Sequence, residues 1–271
     1  MKKIIALALA TVMMVVCFAS CGSETAKVVA SKDDLAGAKI GVQLGTTGDD
    51  LATTYEKQKA TDKNGATMAK ATVERFGKGA DAVQALKQGK IDAVIIDNQP
   101  AEAFVKTNDD LKILDESFDK EEYAACFKKG SKLTAEFNKA YDELKKDGTV
   151  DSIINNFIGD NAGKSPYTTP AGTDHSKGTL VMATNAEFAP WEYVEEKQVV
   201  GIDPMLALAI CDKMGYELKI EDIAFDSIIT EIASGKADFG MAGMTIDETR
   251  LKSVDFSTPY ATASQVIIVK K

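Results

Sequence analysis

DSIITEIASGKADFGMAG (residues 226–243) and ADAVQALKQGKIDAVIID (residues 80–97) are one unit written twice. Each reads as an amphipathic helix, then Gly-Lys-x-Asp, then a hydrophobic strand. Gly89 and Gly235 stand where a helix C-terminus needs a left-handed residue, the conformation glycine adopts without steric cost. The Gly-Lys-x-Asp at the same offset makes chance likeness of two amphipathic helices a poor explanation. A helix–strand pair that recurs 146 residues on predicts two similar α/β lobes rather than one continuous sheet.

Working outward, the first half alternates strand 39–43, helix 46–59, strand 72–76, helix 80–88, strand 91–96, helix 98–106 and strand 112–114. A connection over 115–121 leads to strand 122–128, and helices follow at 131–146 and 149–157. Leu133, Phe137, Ala140, Tyr141 and Leu144 form the apolar stripe of the first of these helices. Residues 159–178, GDNAGKSPYTTPAGTDHSKG, hold four Gly and two Pro without apolar period and read as a linker. The second half gives strand 179–184, helix 203–214, strand 216–220, helix 225–234, strand 237–242, a short helix near 247–251 and strand 264–270. Alternation of this kind predicts largely parallel sheets, with sites at the carboxyl ends of the strands.

The 271 residues hold 41 Asp and Glu against 32 Lys and Arg, a net charge of −9. That excess argues against nucleic acid as the main partner, since phosphate binding needs a basic surface. A single histidine, His175 in the linker, excludes His-based triads and His-rich metal sites and is expected to be inert. No metal cluster, Walker motif or activated Ser or Cys dyad is legible, and no cofactor is implied. Four cysteines are too few for a disulfide scaffold in a chain this long; Cys126 and Cys211 lie in apolar stretches and read as buried hydrophobes, with a disulfide between them left open.

Met1-Lys2-Lys3 followed by the apolar run IIALALATVMMVVCFA (4–19) has the layout of a secretory signal over residues 1–20. A short membrane anchor is the alternative, though a span needs ~20 apolar residues. The run ends Phe18-Ala19-Ser20-Cys21, which resembles a bacterial lipobox with Phe18 in place of the usual Leu. Cys21 is then the lipidated residue and 21–35 a tether. The expected division is a smaller lobe 36–118, a hinge crossing 119–128 and a larger lobe 129–271 that includes the linker 159–178.

Several short stretches carry chemistry. Gly243-Met244-Thr245-Ile246-Asp247-Glu248-Thr249-Arg250 follows a strand, and its Arg supplies a planar fork for a carboxylate. Gly45-Thr46-Thr47-Gly48 precedes a helix, a natural place for an anion. Asp97 ends strand 91–96 and is suited to an ammonium. Asn185-Ala186-Glu187-Phe188-Ala189-Pro190-Trp191 follows strand 179–184 and adds aromatic walls. Carboxylate receptor, ammonium receptor and aromatic walls together describe a site for a zwitterion.

With those residues in view, TLVMATNAEFAPWEY, GIDPMLALAICDKMG, GKADFGMAGMTIDETRLKSVDFSTPY and ASQVIIVKK (within 179–271) resemble the beginning of a polar-amino-acid solute-binding protein of an ABC importer, the extracytoplasmic family 3 type. LAGAKIGVQLGTTGDDLA, GKIDAVIIDNQPA and YAACFKKGSKLTAEFNKAYDELKKDGTVDSIINNFIG (within 31–159) resemble the remainder. The order is reversed, as in a circular permutant with 159–178 joining the usual ends and new ends between Lys271 and Ser31. The resemblance implies a type II periplasmic-binding-protein-like fold, two α/β lobes around a hinge and a ligand cleft. With the cut near one crossing, only 115–128 is expected to join the lobes covalently.

The resemblance further implies that Arg250 clamps the ligand α-carboxylate, helped by Ala242, Gly243 and Thr245 and by Thr46 and Thr47 from the other lobe. Asp97 accepts the α-ammonium, Phe188 and Phe225 sandwich the side chain with Trp191 nearby, and Asn185 and Gln43 face its polar end. Glu187 reads as a solvated charge. Implied partners are a free polar amino acid (arginine or lysine, glutamine or cystine), ABC permease subunits and the membrane through Cys21, on the outer face of the cytoplasmic membrane or in the periplasm. No catalysis is implied; the rivals are a dehydratase-type enzyme of the same fold, with Glu187 as its acid, and a ligand-sensing receptor module. A neutral Asn185, where members for basic amino acids often carry an acid, keeps the ligand's identity open.

Overall fold

The computed structural model describes residues 27–58, 69–158, 163 and 166–271. The signal and lipobox readings at 1–26 lie outside these residues, as does part of the linker. In chain order the elements are β1 (Lys39–Gln43), α1 (Thr47–Lys57), β2 (Thr72–Phe76), α2 (Gly79–Lys87), β3 (Ala93–Asp97), α3 (Asn98–Lys106), β4 (Leu111–Tyr123) and β5 (Cys126–Lys128). Then come α4 (Leu133–Lys146), α5 (Thr149–Phe157), β6 (Thr179–Thr184), β7 (Glu187–Phe188), β8 (Glu192–Glu195), β9 (Gln198–Val200) and α6 (Ile202–Met214). The last are β10 (Glu217–Asp222), α7 (Ile228–Ser234), β11 (Phe239–Gly240), β12 (Val254–Phe256) and β13 (Ala261–Lys270).

Two five-stranded sheets define the two lobes, in the orders β2-β1-β3-β13-β4 and β10-β6-β11-β5-β12. The doubled helix–strand unit thus falls as predicted, once in each. Every residue of β3, AVIID, is buried, as in a central strand covered on both faces. On one face of the small-lobe sheet Ile40, Val42, Ile95, Ile267 and Val269 pack with Ala52 of α1. On the other, Val94, Ile96 and Ile91 pack with Ala82, Val83 and Leu86 of α2. In the large lobe α6 is buried almost all round because it lies beneath α4 and α5. Phe137, Ala140, Tyr141 and Leu144 of α4 are buried as their spacing predicts; Leu133 is half-buried.

Both sheets are mixed rather than uniformly parallel. β13 runs antiparallel to β3 and β4, and β5 antiparallel to β11 and β12. β4 is one long strand to Tyr123, where a break at 115–121 was expected. A small sheet β7-β8-β9 was not foreseen at all.

The strand expected at 264–270 of the larger lobe belongs instead to the small lobe's sheet, between β3 and β4. Its six consecutive buried or half-buried residues Ser264–Val269 fill a gap in a sheet covered on both faces. The expectation of a single covalent link between lobes is therefore overturned. One crossing runs from β4 to β5 through Ala124 and Ala125, the other from β12 to β13 through Ser257–Tyr260. They lie side by side: Ser257 N–H donates to Ala125 O (2.8 Å), Tyr260 N–H to Tyr123 O (2.9 Å), and Ala125 N–H to Ser257 Oγ (3.0 Å).

Cys126 and Cys211 are both free and buried, so they do not pair. His175 is not inert: its Nε2 lies 2.8 Å from Asp212 Oδ1 while Tyr167 donates to Asp212 Oδ2 (2.9 Å), which fastens the linker to α6.

Candidate ligand cleft

A small cavity lies between the lobes, lined by Gln43, Thr46, Thr47 and Asp97 from the small lobe and Asn185, Phe188, Glu192, Phe225, Ala242, Gly243, Thr245 and Arg250 from the large one. It gathers every residue expected at the site except Trp191. That ring is buried, edge-on to Tyr123 at 5.0 Å between centroids and 6.2 Å from Tyr260, and belongs to the hydrophobic core behind the cleft.

Arg250 opens a 3-10 turn after the loop that leaves β11, and it is only 9% exposed. Its guanidinium is held from three sides: Nε faces Asp247 Oδ2 (3.0 Å), one terminal nitrogen donates to Thr245 O (2.7 Å), and the other to Gly45 O of the opposite lobe (3.1 Å). Of the five guanidinium N–H groups, those bonds use three, leaving one on each terminal nitrogen for a carboxylate. Phe225 lies under the guanidinium, 5.5 Å from ring centroid to Cζ.

Thr46 caps α1, its side chain accepting from Asp49 N–H (3.3 Å). The first turn of α1, with Thr47 at its start, presents its positive end to the cavity that Arg250 enters. Gly48 belongs here for a steric reason: a Cβ would lie 2.8 Å from Ile95 O.

Asp97 ends β3 and is 5% exposed. Its Oδ1 accepts the Tyr123 hydroxyl. Burial, reinforced by nearby Glu121, pushes its carboxyl up to about 7. An ammonium entering the cavity would supply the charge that Asp97 lacks and favour the carboxylate.

Gln43 and Asn185 meet each other: Gln43 Nε2 donates to Asn185 Oδ1 (2.8 Å) across the cleft, and Asn185 Nδ2 donates to Ile223 O (2.9 Å). With Arg250–Gly45 and an ion pair between Lys78 and Glu187, these bonds hold the lobes in contact. Glu187 is thus neither a lone solvated charge nor a lining residue of the cavity. Glu192 was missed; its neighbours in Trp191-Glu192-Tyr193 gave no pattern that set it apart from a surface acid.

The sheets, the paired crossings and the interlobe cavity define a two-lobed α/β protein of the type II periplasmic-binding-protein-like class. Residues 180–271 match the family described as bacterial extracellular solute-binding proteins, family 3. It is 42% identical over 101 residues to the arginine-binding extracellular protein ArtP of Bacillus subtilis, covering 37% of this chain and 40% of that protein. It is 32% identical over 133 residues to the L-cystine-binding protein TcyJ of Escherichia coli, covering 48% and 46%. Among solved structures, the arginine-bound domain 1 of TmArgBP is 38% identical, covering 35% of this chain and 82% of that one, with a TM-score of 0.31. The chain spans less than half the length of the curated relatives it matches.

Proposed function

We propose that this protein is the extracytoplasmic substrate-binding component of an ABC importer, capturing a free amino acid between its lobes and handing it to a permease. The observation that carries this reading is that Arg250 and Asp97, borne by different lobes, line one cavity. A carboxylate bridged by the two spare N–H groups of Arg250 and an ammonium on Asp97 are the two ends of one α-amino acid. Neither lobe alone holds both ends, so ligand stabilises the closed arrangement over any open one, and closure is the signal a permease senses.

A basic side chain is the first candidate. Beyond Arg250 the outer cleft carries Asp50, Asp226 and Asp247, a negative approach that attracts cations. Relatives named for arginine fit the same reading. A thermal-shift screen of the twenty amino acids and cystine tests it: at 100 times the dissociation constant, a ligand stabilises by ~2.7 kcal/mol. Arginine or lysine giving the largest shift is expected; no shift with any of them would end the reading.

The reversed order of the family's segments is a circular permutation on this proposal, and Cys21 carries lipid. The segments that flank the proposed cut lie close together. Lys27 N–H donates to Asp92 Oδ1 (2.8 Å), just before β3, while Lys271 N–H donates to Asp110 O (2.9 Å), just before β4. β13 lies between β3 and β4, so both segments sit at the same end of neighbouring strands in one sheet.

A further inference from the structure

In the cavity wall and just behind it stand two carboxyl groups, Glu192 and Asp203, with no cation beside them among the described residues. Glu192 is 1% exposed and Asp203 wholly buried. Asp203 Oδ2 is saturated, accepting Gly243 N–H (2.9 Å) and the Tyr260 hydroxyl (2.7 Å). Asp203 Oδ1 and both Glu192 oxygens receive no donor from the described residues. The two residues stand side by side: Asp203 N–H donates to the backbone oxygen of Trp191, the residue before Glu192 (2.9 Å), and each carboxyl acts on the other.

Two ionised carboxylates in contact, both out of water, would each forfeit hydration and repel the other. One proton resolves this. Carried by Glu192 and donated to Asp203 Oδ1, it satisfies two of the three orphan oxygens and leaves the pair a single charge. The other Glu192 oxygen then remains as a neutral acceptor in the cavity lining. We infer that Glu192 stands in the cavity wall as the neutral acid, donating its proton to Asp203, and that this bond positions the Gly243 backbone that faces the ligand.

The charged and titratable groups around the pair point the same way. Asp97 and Asp222 bear on Glu192 and Tyr260 on Asp203, and none is a cation. Burial and neighbouring acids push both carboxyls up; Asp203 Oδ2 already accepts two donors while neither Glu192 oxygen receives one, which leaves the charge on Asp203 and the proton on Glu192. Glu192 is a positioning residue: it reaches Gly243 only through Asp203. Gly243 in turn has φ of +52° and lies so close to Phe188 that a Cβ would sit 2.7 Å from its ring.

The test needs no ligand, so it stands apart from the proposed function. Infrared spectra of the ligand-free protein at ~pH 9, well above the value of about 7 to which the Asp97 carboxyl is pushed, should show the C=O stretch of a protonated carboxylic acid, and Glu192→Gln should remove it. Melting temperature provides the second readout. A native group that keeps a proton the unfolded chain has lost makes stability fall with rising pH. Above pH 7, the fall should be shallower in Glu192→Gln than in the parent. A parent spectrum without the band, a band that survives in Glu192→Gln, or equal slopes in the two proteins would overturn the inference. Should the variant fail to fold, the parent spectrum alone decides.

Discussion

Asp97 ties a single carboxyl to both binding and pH. With its carboxyl at about 7 in the free protein, it is neutral in mild acid and cannot offer a full charge to an ammonium. Affinity should therefore rise with pH by up to tenfold per unit below ~pH 7 and level off above it. Calorimetric titrations of the best ligand across that window check the slope, and Asp97→Asn should bind weakly with no such slope. A parent affinity that is flat through pH 7 would detach Asp97 from the ligand. At this scale the sequence was informative wherever a residue type fits one partner: a fork-shaped Arg after a glycine loop, an Asp at a strand's end. It was silent on Glu192 and misleading on Trp191. Whether an acid or an aromatic faces a cavity or the core depends on which lobe covers it, and no local pattern records that. The same holds for Gln43 and Asn185, polar in sequence and bonded to each other across the cleft in space.

The loop leaving β11 is the element on which the large-lobe half of the site depends. Ala242, Gly243 and Thr245 line the cavity within four residues, and Thr245 O steers Arg250. Gly243→Ala should fail twice: a left-handed φ is strained for alanine, and the new methyl would drive the Phe188 ring out of place. The expected result is a loss of about 1–2 kcal/mol in stability with at least tenfold weaker ligand binding, measured by denaturant titration and calorimetry. The crossings offer a second test. Ser257→Ala leaves the buried Ala125 N–H without its partner and should cost about 1–3 kcal/mol in denaturant titrations. Helix and strand alternation made nearly every large element legible. What periodicity did not reveal is which sheet a strand joins. β13 reads as one more buried strand, yet Tyr260 N–H on Tyr123 O carries it over the cleft into the other lobe.

For the molecule as a whole, the paired crossings matter more than either lobe. Two side-by-side crossings tie the lobes together, and the cross-cleft bonds Gln43–Asn185 and Arg250–Gly45 hold them in contact around the cavity. On the permutation proposal, joining Lys271 to Ser31 by a short peptide and opening the chain within 159–178 restores the family's order without touching the cleft. That rearranged protein should fold and keep its ligand affinity within about threefold; a chain that does not fold would show that the present order is needed. The two-lobe plan was readable because the helix–Gly-Lys-x-Asp–strand unit recurs, whereas the second crossing, made by backbone bonds between distant segments, was not. The central claim is that one small molecule is held at both ends by opposite lobes. The dissociation constant of the best amino acid, measured calorimetrically for the parent and for Arg250→Ala, tests it most directly. Removing one partner of a buried ion pair costs about 3–5 kcal/mol, so the account predicts at least a hundredfold loss. A folded Arg250→Ala protein that binds within threefold of the parent would contradict it.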